Sequence, residues 1–403
     1  MKKTAIILFA FLLLGNLLPA QNAVEWRNDR TGIYTETGLL KAWPAAGPDL
    51  LWSYEGLGEG HSSVTVSEDK IYLTGMTEGK GFLFVFDLSG KLLAKKEYAE
   101  EWDASYSGTR GSVVPNAGKL YVVSGTGEVV CFNQNDLSLA WKKSYTKDYA
   151  GQIPKYGVNE SPLIVGEKLI LTPGGAEHNI IAVNKNDGKL IWSSAAKGDI
   201  SSYCSPIFLA DQQVPQVVTI TGNHVVGIDV ANGKMLWSFP FTNRFMEHPN
   251  TPVYGGDNLL LCNSSYKVGS VMLRLTNGGR AVEQVWTAPQ LDVRTGHMLK
   301  LGSYAYGAGD YKKGWYCVDW KTGKLQYEDR SLPAGAIIAA DGMLYCYADN
   351  GTLALVRATP EKFDVVSKFS ITKGTNQHWA HPVIYKGVLY LRHGNALMAY
   401  KIK

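Results

Sequence analysis

Short runs of alternating apolar and polar residues, separated by turn residues, recur along most of the chain. In one copy, residues 166–192, the order is turn, strand, turn, strand, turn, strand, and the last strand ends on Trp192. Related copies occupy residues 118–141, 217–237, 256–286, 303–327 and 341–366, and weaker copies occupy 69–94 and 386–403. Alternation with a period of two residues is typical of β-strands with one buried face, so the pattern predicts short strands throughout.

The spacing of the copies predicts how the strands are grouped. The position directly after the alternating apolar pair marks the same point in each copy: Asp87, Asn133, Asn184, Asp229, Leu275, Asp319, Arg357 and Lys401. These positions recur at intervals of about 40 to 50 residues, which is the length of a four-stranded propeller blade. The eight copies predict an all-β fold, an eight-bladed β-propeller of four-stranded antiparallel blades that occupies residues 49–403.

The two ends of this region predict how the ring closes. The last copy reaches Lys403 without an outer strand of its own, whereas residues 49–52, Asp-Leu-Leu-Trp, resemble an outer strand without a copy around it. We expect this N-terminal strand to complete the last blade, which removes the exposed sheet edges at the seam. Residues 21–48 are then an extended segment that precedes the propeller.

A large aromatic residue ends the outer strand of most copies. The position holds Trp141, Trp192, Trp237 and Trp286, with Tyr327 in a fifth copy and Ala94 in a sixth. A flat side chain at one fixed place in each blade fills the wedge between neighbouring blades. We therefore interpret these tryptophans as packing residues.

The first residues of the chain predict export. Residues 1–20 combine Lys2 and Lys3 with an apolar run and a terminal Ala20, as secretory signal peptides do. The run is too short to span a membrane, and no cysteine follows it to carry a lipid anchor. We expect a periplasmic or secreted protein with no transmembrane segment after cleavage. The formal net charge of +4 includes the two signal lysines, so it does not favour nucleic acid as a partner.

The five cysteines predict no covalent or metal chemistry. They are Cys131, Cys204, Cys262, Cys317 and Cys346, and each lies inside an apolar, strand-like run. We expect buried free thiols, because buried cysteine behaves as a small apolar residue and because no two of these cysteines have metal-ligand spacing.

The copies also resemble a known family. Residues 228–237 and 318–327 are the closest matches to the Ala-x-Asp-x-x-Thr-Gly-Lys-x-Leu-Trp repeat of pyrroloquinoline-quinone (PQQ) propellers. The segment 26–32, Trp-Arg-Asn-Asp-Arg-Thr-Gly, is similar to that of a secreted bacterial branch of PQQ-like proteins. The resemblance covers nearly all of the chain after residue 20. It implies the eight-bladed fold and indicates function only weakly.

The inner strands of a propeller line its central channel, and their first residues form the rim of one face. Here the first positions are Ser63, Ser112, Ser161, Ser205, Thr251, His297, Ala336 and His381. Five of the eight histidines lie at or just before them. The predicted ligand-binding residues are His61, Arg110, Asn159, Glu160, Tyr203, His248, Asn250, Arg294, His297, His378, Trp379 and His381. Such groups suit a small anionic or sugar-like ligand or a protein segment; a transition metal and a merely solvated rim are the alternatives.

Two function classes follow from the resemblance. The first is a monomeric, non-catalytic binding scaffold, similar to the propeller lipoprotein of the outer-membrane Bam assembly complex, although the lipid-attachment cysteine is missing. The second is a quinoprotein alcohol or sugar dehydrogenase that uses PQQ with calcium. Such dehydrogenases carry adjacent cysteines and a Glu, an Asn and an Asp around calcium. This chain has no Cys-Cys pair, and only Glu160 with Asn159 or Asn250 matches two of the calcium ligands.

Two more enzyme classes have less support in the sequence. Soluble PQQ sugar dehydrogenases lack the adjacent cysteines but have six blades, and a polysaccharide lyase or hydrolase would use the His and Arg rim. His393 and the calcium-like residues 349–351 are interpreted as turn residues. The sequence assigns no catalytic residue and no metal site.

Overall fold

Eight four-stranded antiparallel blades surround a central channel, as the repeat pattern predicts. The computed structural model describes residues 26–310 and 313–403. The predicted signal peptide, residues 1–20, lies outside the described residues. In the part of the chain that is described, no helix is long and apolar enough to cross a membrane.

The strands follow one another from the channel outwards in blades 1 to 7. Blade 1 contains β3 (Thr65–Ser67), β4 (Lys70–Thr77), β5 (Lys80–Asp87) and β6 (Leu92–Glu100). Blade 2 contains β7 (Val114–Asn116), β8 (Lys119–Val123), β9 (Glu128–Asn133) and β10 (Leu139–Ser144). Blade 3 contains β11 (Leu163–Val165), β12 (Lys168–Leu171), β13 (Ile180–Asn184) and β14 (Leu190–Ser194). Blade 4 contains β15 (Ile207–Leu209), β16 (Gln216–Ile220), β17 (His224–Asp229) and β18 (Met235–Pro240).

The second half of the ring repeats this order. Blade 5 contains β19 (Val253–Tyr254), β20 (Leu259–Asn263), β21 (Ser270–Thr276) and β22 (Ala281–Ala288). Blade 6 contains β23 (Met298–Leu301), β24 (Tyr304–Gly309), β25 (Gly314–Asp319) and β26 (Leu325–Asp329). Blade 7 contains β27 (Gly335–Ala340), β28 (Met343–Ala348), β29 (Thr352–Arg357) and β30 (Asp364–Ser370). Blade 8 contains β31 (Val383–Tyr385), β32 (Val388–His393), β33 (Ala396–Lys401) and, from the N-terminal side, β2 (Leu50–Tyr54).

The apolar core lies between neighbouring blades. The middle strands are buried on both faces, as in β28, whereas outer strands such as β30 are partly exposed. Separate clusters of buried side chains join blades 1 and 2, 2 and 3, and so on around the ring. One larger cluster joins blades 7, 8 and 1 and includes Tyr34, Leu39 and Trp43. Burial of these faces is the main force that holds the blades together.

The outer-strand tryptophans bridge neighbouring blades, as predicted. The Trp192 indole N–H of blade 3 donates to the Val230 carbonyl of blade 4 at 3.0 Å, and its ring lies against Gly233. Equivalent ring and glycine pairs are Trp52 with Gly90, Trp141 with Gly188 and Trp286 with Gly323. In these four pairs the glycine of the repeat receives the tryptophan of the preceding blade. Trp237 is an exception, because its indole N–H donates to Gln216 Oε1 of its own blade at 2.7 Å.

The seam of the ring closes as the sequence predicts. The N-terminal strand β2 pairs antiparallel with β33, with Trp52 opposite Ala399 and Tyr54 opposite Leu397. The last blade thus combines strands from both ends of the chain. Its outer edge is formed by the same residues, 49–52, that lack a copy around them in the sequence.

The segment that precedes the propeller runs through the central channel. It contains a helical turn over Asn28–Gly32, in which Asp29 and Arg30 have positive φ, and strand β1 (Ile33–Tyr34). Strand β1 pairs in parallel with the inner strand β27 of blade 7. Gly335, Ala336, Ala339 and Ala340 keep that inner strand narrow enough to admit it. Two further short helical turns, Tyr145–Tyr149 and Asn277–Gly279, lie in connections between strands.

All five cysteines are buried and unpaired, as predicted. They lie in different blades, and burial raises the pKa of the thiols; for Cys204 the pKa rises to about 11. A thiol with a raised pKa holds little reactive thiolate at neutral pH. Their burial is typical of cysteines that act as packing residues.

Candidate ligand-binding site

A pocket of about 180 Å³ lies at one end of the channel, where the inner strands begin. We call this pocket the mouth. Its lining residues come from seven blades and from the channel segment: Trp26, His61, Ser63, Tyr106, Arg110, Tyr156, Asn159, Ser161, Tyr203, Glu247, Pro249, Tyr266, Arg294, Thr295, His297, Trp379 and His381. A second pocket, of about 440 Å³, lies at the far end and is lined in part by Arg30, Tyr254 and Lys300.

Alternation along each inner strand decides which side chains face the mouth. In blade 1, Ser63 and the residue two positions earlier, His61, both line it. The same holds for Ser161 with Asn159 and for His381 with Trp379. Successive side chains of an extended chain point to opposite sides, so the residue between each pair turns into the blade.

Eight of the twelve predicted residues line the mouth, and four lie elsewhere. Those in the mouth are His61, Arg110, Asn159, Tyr203, Arg294, His297, Trp379 and His381. The others are Glu160, His248, Asn250 and His378, and each has a partner of its own outside the pocket.

Glu160 and Asn250 occupy the position that turns into the blade. The Glu160 carboxylate accepts a hydrogen bond from the Thr172 amide at 3.0 Å, and burial raises its pKa to about 7. The Asn250 amide donates to the Val293 carbonyl at 2.6 Å and accepts from the His297 amide at 3.1 Å. Both side chains therefore fix neighbouring loops.

His248 and His378 lie three positions before Thr251 and His381, the residues at which the sequence predicts that the inner strands begin. Both side chains also pack away from the pocket. His248 is fully buried, and its ring stacks on Phe241 at 5.2 Å. His378 Nδ1 forms a hydrogen bond with the Tyr347 hydroxyl at 2.6 Å. The His378 ring stacks on the His393 ring, with 3.6 Å between the ring centroids. His393, predicted to be a turn residue, is instead the last residue of β32, paired with Ala396, and its ring nitrogens face the carbonyls of Lys373 and Asn376.

The imidazoles of the mouth are held neutral. His297 and His381 join through Nδ1 and Nε2 at 3.0 Å, and burial keeps the pKa of both well below the usual range. Burial, with the charges of Arg392 and Arg110, lowers the pKa of His61 to about 3. Both ring nitrogens of His61 are buried, and the backbone of Tyr106 and Ser107 lies beside the ring. A neutral imidazole carries no charge, so these histidines add ring surface to the pocket and no positive charge.

Two arginines bring positive charge to the rim. Arg110 donates to the carbonyls of Gly108 and Tyr106, both at 2.6 Å, and burial lowers its pKa to about 10, so it stays charged at neutral pH. Arg294 forms an ion pair with Asp310 at 3.3 Å. Because carbonyl groups carry no net charge, these hydrogen bonds do not neutralise Arg110. Its guanidinium can therefore attract a carboxylate.

Aromatic rings form a continuous wall around the pocket. The ring centroid of Tyr106 lies 5.2 Å from that of Trp379 and 5.8 Å from that of Tyr156. The ring centroids of Trp379 and His61 lie 5.0 Å apart. Trp26 packs edge-on against His297 at 5.0 Å. Sequence reasoning missed Trp26, Tyr106, Tyr156, Tyr266 and Glu247. Tyr106 and Tyr156 belong to loops before inner strands, and Tyr266 lies between β20 and β21; no fixed repeat position marks any of them.

A transition metal at the rim would need a cluster of ligating side chains. Within residues 26–310 and 313–403, no group of three or more His, Cys, Asp or Glu side chains is placed to hold an ion. Asp349, from the calcium-like turn, lies near Arg294 and Asp310, and burial raises its pKa to about 6.

Comparison with known families places the chain. A family model described as outer membrane protein assembly factor BamB, PQQ_2, matches residues 79–196 and 157–362. The chain belongs to this PQQ_2 family. Membership agrees with the eight-bladed ring and with the PQQ-like repeat seen in the sequence.

The sequence of this PQQ_2 protein is similar to that of an assembly factor, and its fold is similar to that of assembly factors and dehydrogenases. The chain is 24% identical over 219 residues to outer membrane protein assembly factor BamB of Shewanella oneidensis, and the match covers 53% of this chain and 52% of that protein. The chain thus spans about half the length of this curated relative. BamB from Moraxella catarrhalis has a TM-score of 0.65 at 13% identity, over 88% of this chain and 100% of that chain. Quinohemoprotein alcohol dehydrogenase from Comamonas testosteroni has a TM-score of 0.64 at 12% identity, over 94% and 80%. The structural matches show a shared fold.

Proposed function

We propose that this protein is a non-catalytic binding propeller of the periplasm or the secreted fraction, and that its mouth holds a short polypeptide segment. The observation that carries the proposal is the composition of the mouth, in which Trp, Tyr and Arg side chains surround neutral histidines. These three residue types dominate the binding energy of protein interfaces. A small carbohydrate is the alternative ligand, and the experiment below separates the two.

The size of the mouth supports a short segment as ligand. Its volume of about 180 Å³ is below that of pockets which enclose a drug-sized molecule, about 300 to 1,000 Å³. One or two side chains of a peptide fill such a space and can pack against its aromatic rings. A carboxylate on the segment would pair with Arg110.

The mouth is also rigid before a ligand arrives. Its serines and the histidines His61, His297 and His381 lie next to inner strands that are fixed by blade packing, and the serines of adjacent blades are linked. The Ser63 amide donates to the Ser112 hydroxyl, and the Ser112 amide donates to the Ser161 hydroxyl, both at 3.1 Å. A preformed site loses less entropy when it binds, which favours a binding role. Assembly factors of the same family are consistent with a scaffold that holds polypeptide.

The positions of Glu160 and the cysteines argue against the alternative function as a quinoprotein dehydrogenase. The Glu160 carboxylate, the expected calcium ligand, bonds Thr172 inside the blade instead of facing the mouth. The cysteines are buried in separate blades, so no two of them are adjacent, and none lines the mouth. These residues do not fit PQQ with calcium, and we propose no catalytic step. Titration of the protein with PQQ and calcium, followed by dye-linked alcohol oxidation, is expected to give neither saturable cofactor absorbance nor turnover.

Selection from a displayed library of random peptides tests the binding proposal. We expect enriched peptides to bind the purified protein, and Tyr106→Ala or Trp379→Ala to weaken them about tenfold or more, as loss of a central aromatic contact does. Tyr254→Ala, which removes an aromatic ring at the far end of the channel, is the matched control and leaves affinity unchanged. Circular dichroism confirms that all three variants are folded.

Three results would overturn the proposal. Enrichment of no peptide is one, and enriched peptides that tolerate both mouth variants are another. Binding to a panel of oligosaccharides that is lost in Trp379→Ala, without any peptide binding, would assign the mouth to carbohydrate.

A further inference from the structure

The second pocket, at the far end of the channel, exists because the channel segment covers only one side of the ring. Strand β1 pairs with β27 of blade 7, and Tyr34, Leu39 and Trp43 join the core of blades 7, 8 and 1. The inner strands of blades 3 to 6 are left to line a cavity of about 440 Å³, which we call the far cavity. That volume lies within the range of pockets that hold a small organic molecule, about 300 to 1,000 Å³.

Two arginines of the channel segment lie between the far cavity and the mouth. Arg27 donates to the Ile337 carbonyl in blade 7 at 3.4 Å, and Arg30 donates to the carbonyls of Ser161 and Pro162 in blade 3, at 3.0 and 2.8 Å. Blades 3 and 7 face each other across a ring of eight, so the two side chains brace the channel. Both arginines are nearly inaccessible, at 2% and 6% exposure. The two pockets share no lining residue, so a site in the far cavity does not depend on the function proposed for the mouth.

One position of the repeat decides the chemistry of the far cavity. It lies three residues after the first position of each inner strand, and it is uncharged in seven copies and lysine in one: Val66, Pro115, Ile164, Phe208, Tyr254, Lys300, Ala339 and Ile384. In blades 3 to 6 this residue lines the far cavity and is partly accessible, whereas in the other four blades it is buried. A wall of apolar and aromatic side chains therefore ends on a single lysine.

The Lys300 ammonium lies at this wall without an acidic partner. Its stem runs past Gly255, where a Cβ would lie 2.5 Å from Lys300 Cδ, and its Nζ lies 5.5 Å from the centroid of the Trp320 ring. Within residues 26–310 and 313–403, no carboxylate is within ion-pair distance of this Nζ. The channel segment adds Asp29 and Arg30 to the lining, and their opposite charges offset each other. Lys300 therefore gives the far cavity a net positive charge.

We propose that the far cavity binds an amphipathic organic acid, with an apolar body against Ile164, Phe208 and Val253 and a carboxylate on the Lys300 ammonium. Burial of the body removes apolar surface from water on both sides of the contact. A carboxylate supplies the charge-assisted hydrogen bond that the ammonium does not find in the protein. A neutral molecule of the same shape gains only the first contribution, and a cation is repelled.

Isothermal titration with decanoate, below its micelle concentration, tests the proposal. We expect saturable binding of one decanoate, and Lys300→Gln to weaken it about tenfold or more, as loss of a hydrogen bond between charged groups does. Lys300→Arg keeps the charge and should retain most of the affinity. The matched control is Lys95→Gln, because Lys95 Nζ also lies over an aromatic ring, 4.2 Å from the centroid of Phe82, but on the outer strand of blade 1. This control should leave the affinity unchanged.

Two further titrations separate charge from apolar contact. Decanol should bind more weakly than decanoate and equally well to the protein and to Lys300→Gln, whereas Phe208→Ala should weaken both ligands. Circular dichroism confirms that each variant is folded.

Four results would overturn the inference. They are the absence of saturable decanoate binding, decanoate binding that Lys300→Gln leaves unchanged, equal binding of decylammonium, and binding to phosphatidylglycerol vesicles without binding of decanoate. The last result would assign Lys300 to a lipid headgroup instead of a free acid. Peptides selected on the mouth should keep their affinity in the presence of decanoate, so failure of either site leaves the other one standing.

Discussion

Replacement of Gly233 by alanine tests the contact that joins blades 3 and 4. A Cβ at this glycine would lie 2.6 Å from the Trp192 ring, and the backbone has φ of +77°. The left-handed backbone costs an L-residue about 1 to 2 kcal/mol, and overpacking against a fixed ring adds about 1 to 3 kcal/mol. We expect Gly233→Ala to lower the free energy of unfolding by about 2 to 5 kcal/mol.

A second glycine separates the two contributions. Gly256 has nearly the same φ, +74°, but a Cβ there would meet nothing within 4 Å. Gly256→Ala is therefore expected to cost only the backbone term, about 1 to 2 kcal/mol. The difference between the two variants measures the contact with Trp192.

Removal of the ring provides the decisive comparison. Trp192→Ala alone should cost about 3 to 5 kcal/mol, because the ring is 7% exposed and its N–H bonds the Val230 carbonyl. In the Trp192→Ala background, however, Gly233→Ala meets no ring and should cost no more than Gly256→Ala does. The double variant is then less destabilised than the sum of the two single variants by about 1 to 3 kcal/mol.

Urea unfolding followed by far-ultraviolet circular dichroism is the assay, since it does not depend on the tryptophan removed. Equal slopes and coincident transitions from a second probe are required before the free energies are compared. The reasoning is refuted if Gly233→Ala costs the same with and without Trp192, or if it costs no more than Gly256→Ala.

Two further predictions concern two separate buried glutamates and the seam of the ring. Burial raises the pKa of Glu101 and Glu160 to about 7 each, so the folded state keeps protons that the unfolded chain releases above pH 4.5. Stability should fall between about pH 5 and 8 by up to about 3 kcal/mol for each group, and Glu101→Gln should flatten the dependence; urea midpoints that rise with pH would contradict this. At the seam, Trp52→Ala should lower the free energy of unfolding by about 2 to 4 kcal/mol, whereas Leu51→Ala, which removes a half-exposed side chain of the same strand, changes it little; equal effects would refute the seam contact.

Features that repeat in every blade could be predicted from the sequence. The ring count, the four strands of each blade and the place of Trp192 all depend on local patterns that occur many times, so one irregular copy does not hide them. Closure by residues 49–52 could be predicted because a strand without partners is conspicuous beside a copy that lacks one.

The site could be predicted only in part, because it combines side chains from positions that do not repeat. Successive side chains of an inner strand point alternately into the channel and into the blade. Applied strictly, this rule keeps His61 in the predicted site and removes Glu160 and Asn250, which occupy positions that face the blade. Tyr106 comes from a loop of irregular length, so its approach to Trp379 depends on tertiary structure. Trp26 has no local signal at all; its place follows from the path of the chain through the channel.

The brace between blades 3 and 7 has a consequence for how the protein matures. Arg27 and Ile337 are separated by 310 positions in the chain, and β2 meets β33 across nearly the whole sequence. Such distant partners cannot meet until the last blades exist, and contacts of this kind slow folding. The residues synthesised first must therefore wait for those synthesised last, and a polypeptide arrested before its final blade would expose both an open ring and an unthreaded N-terminal segment to proteases.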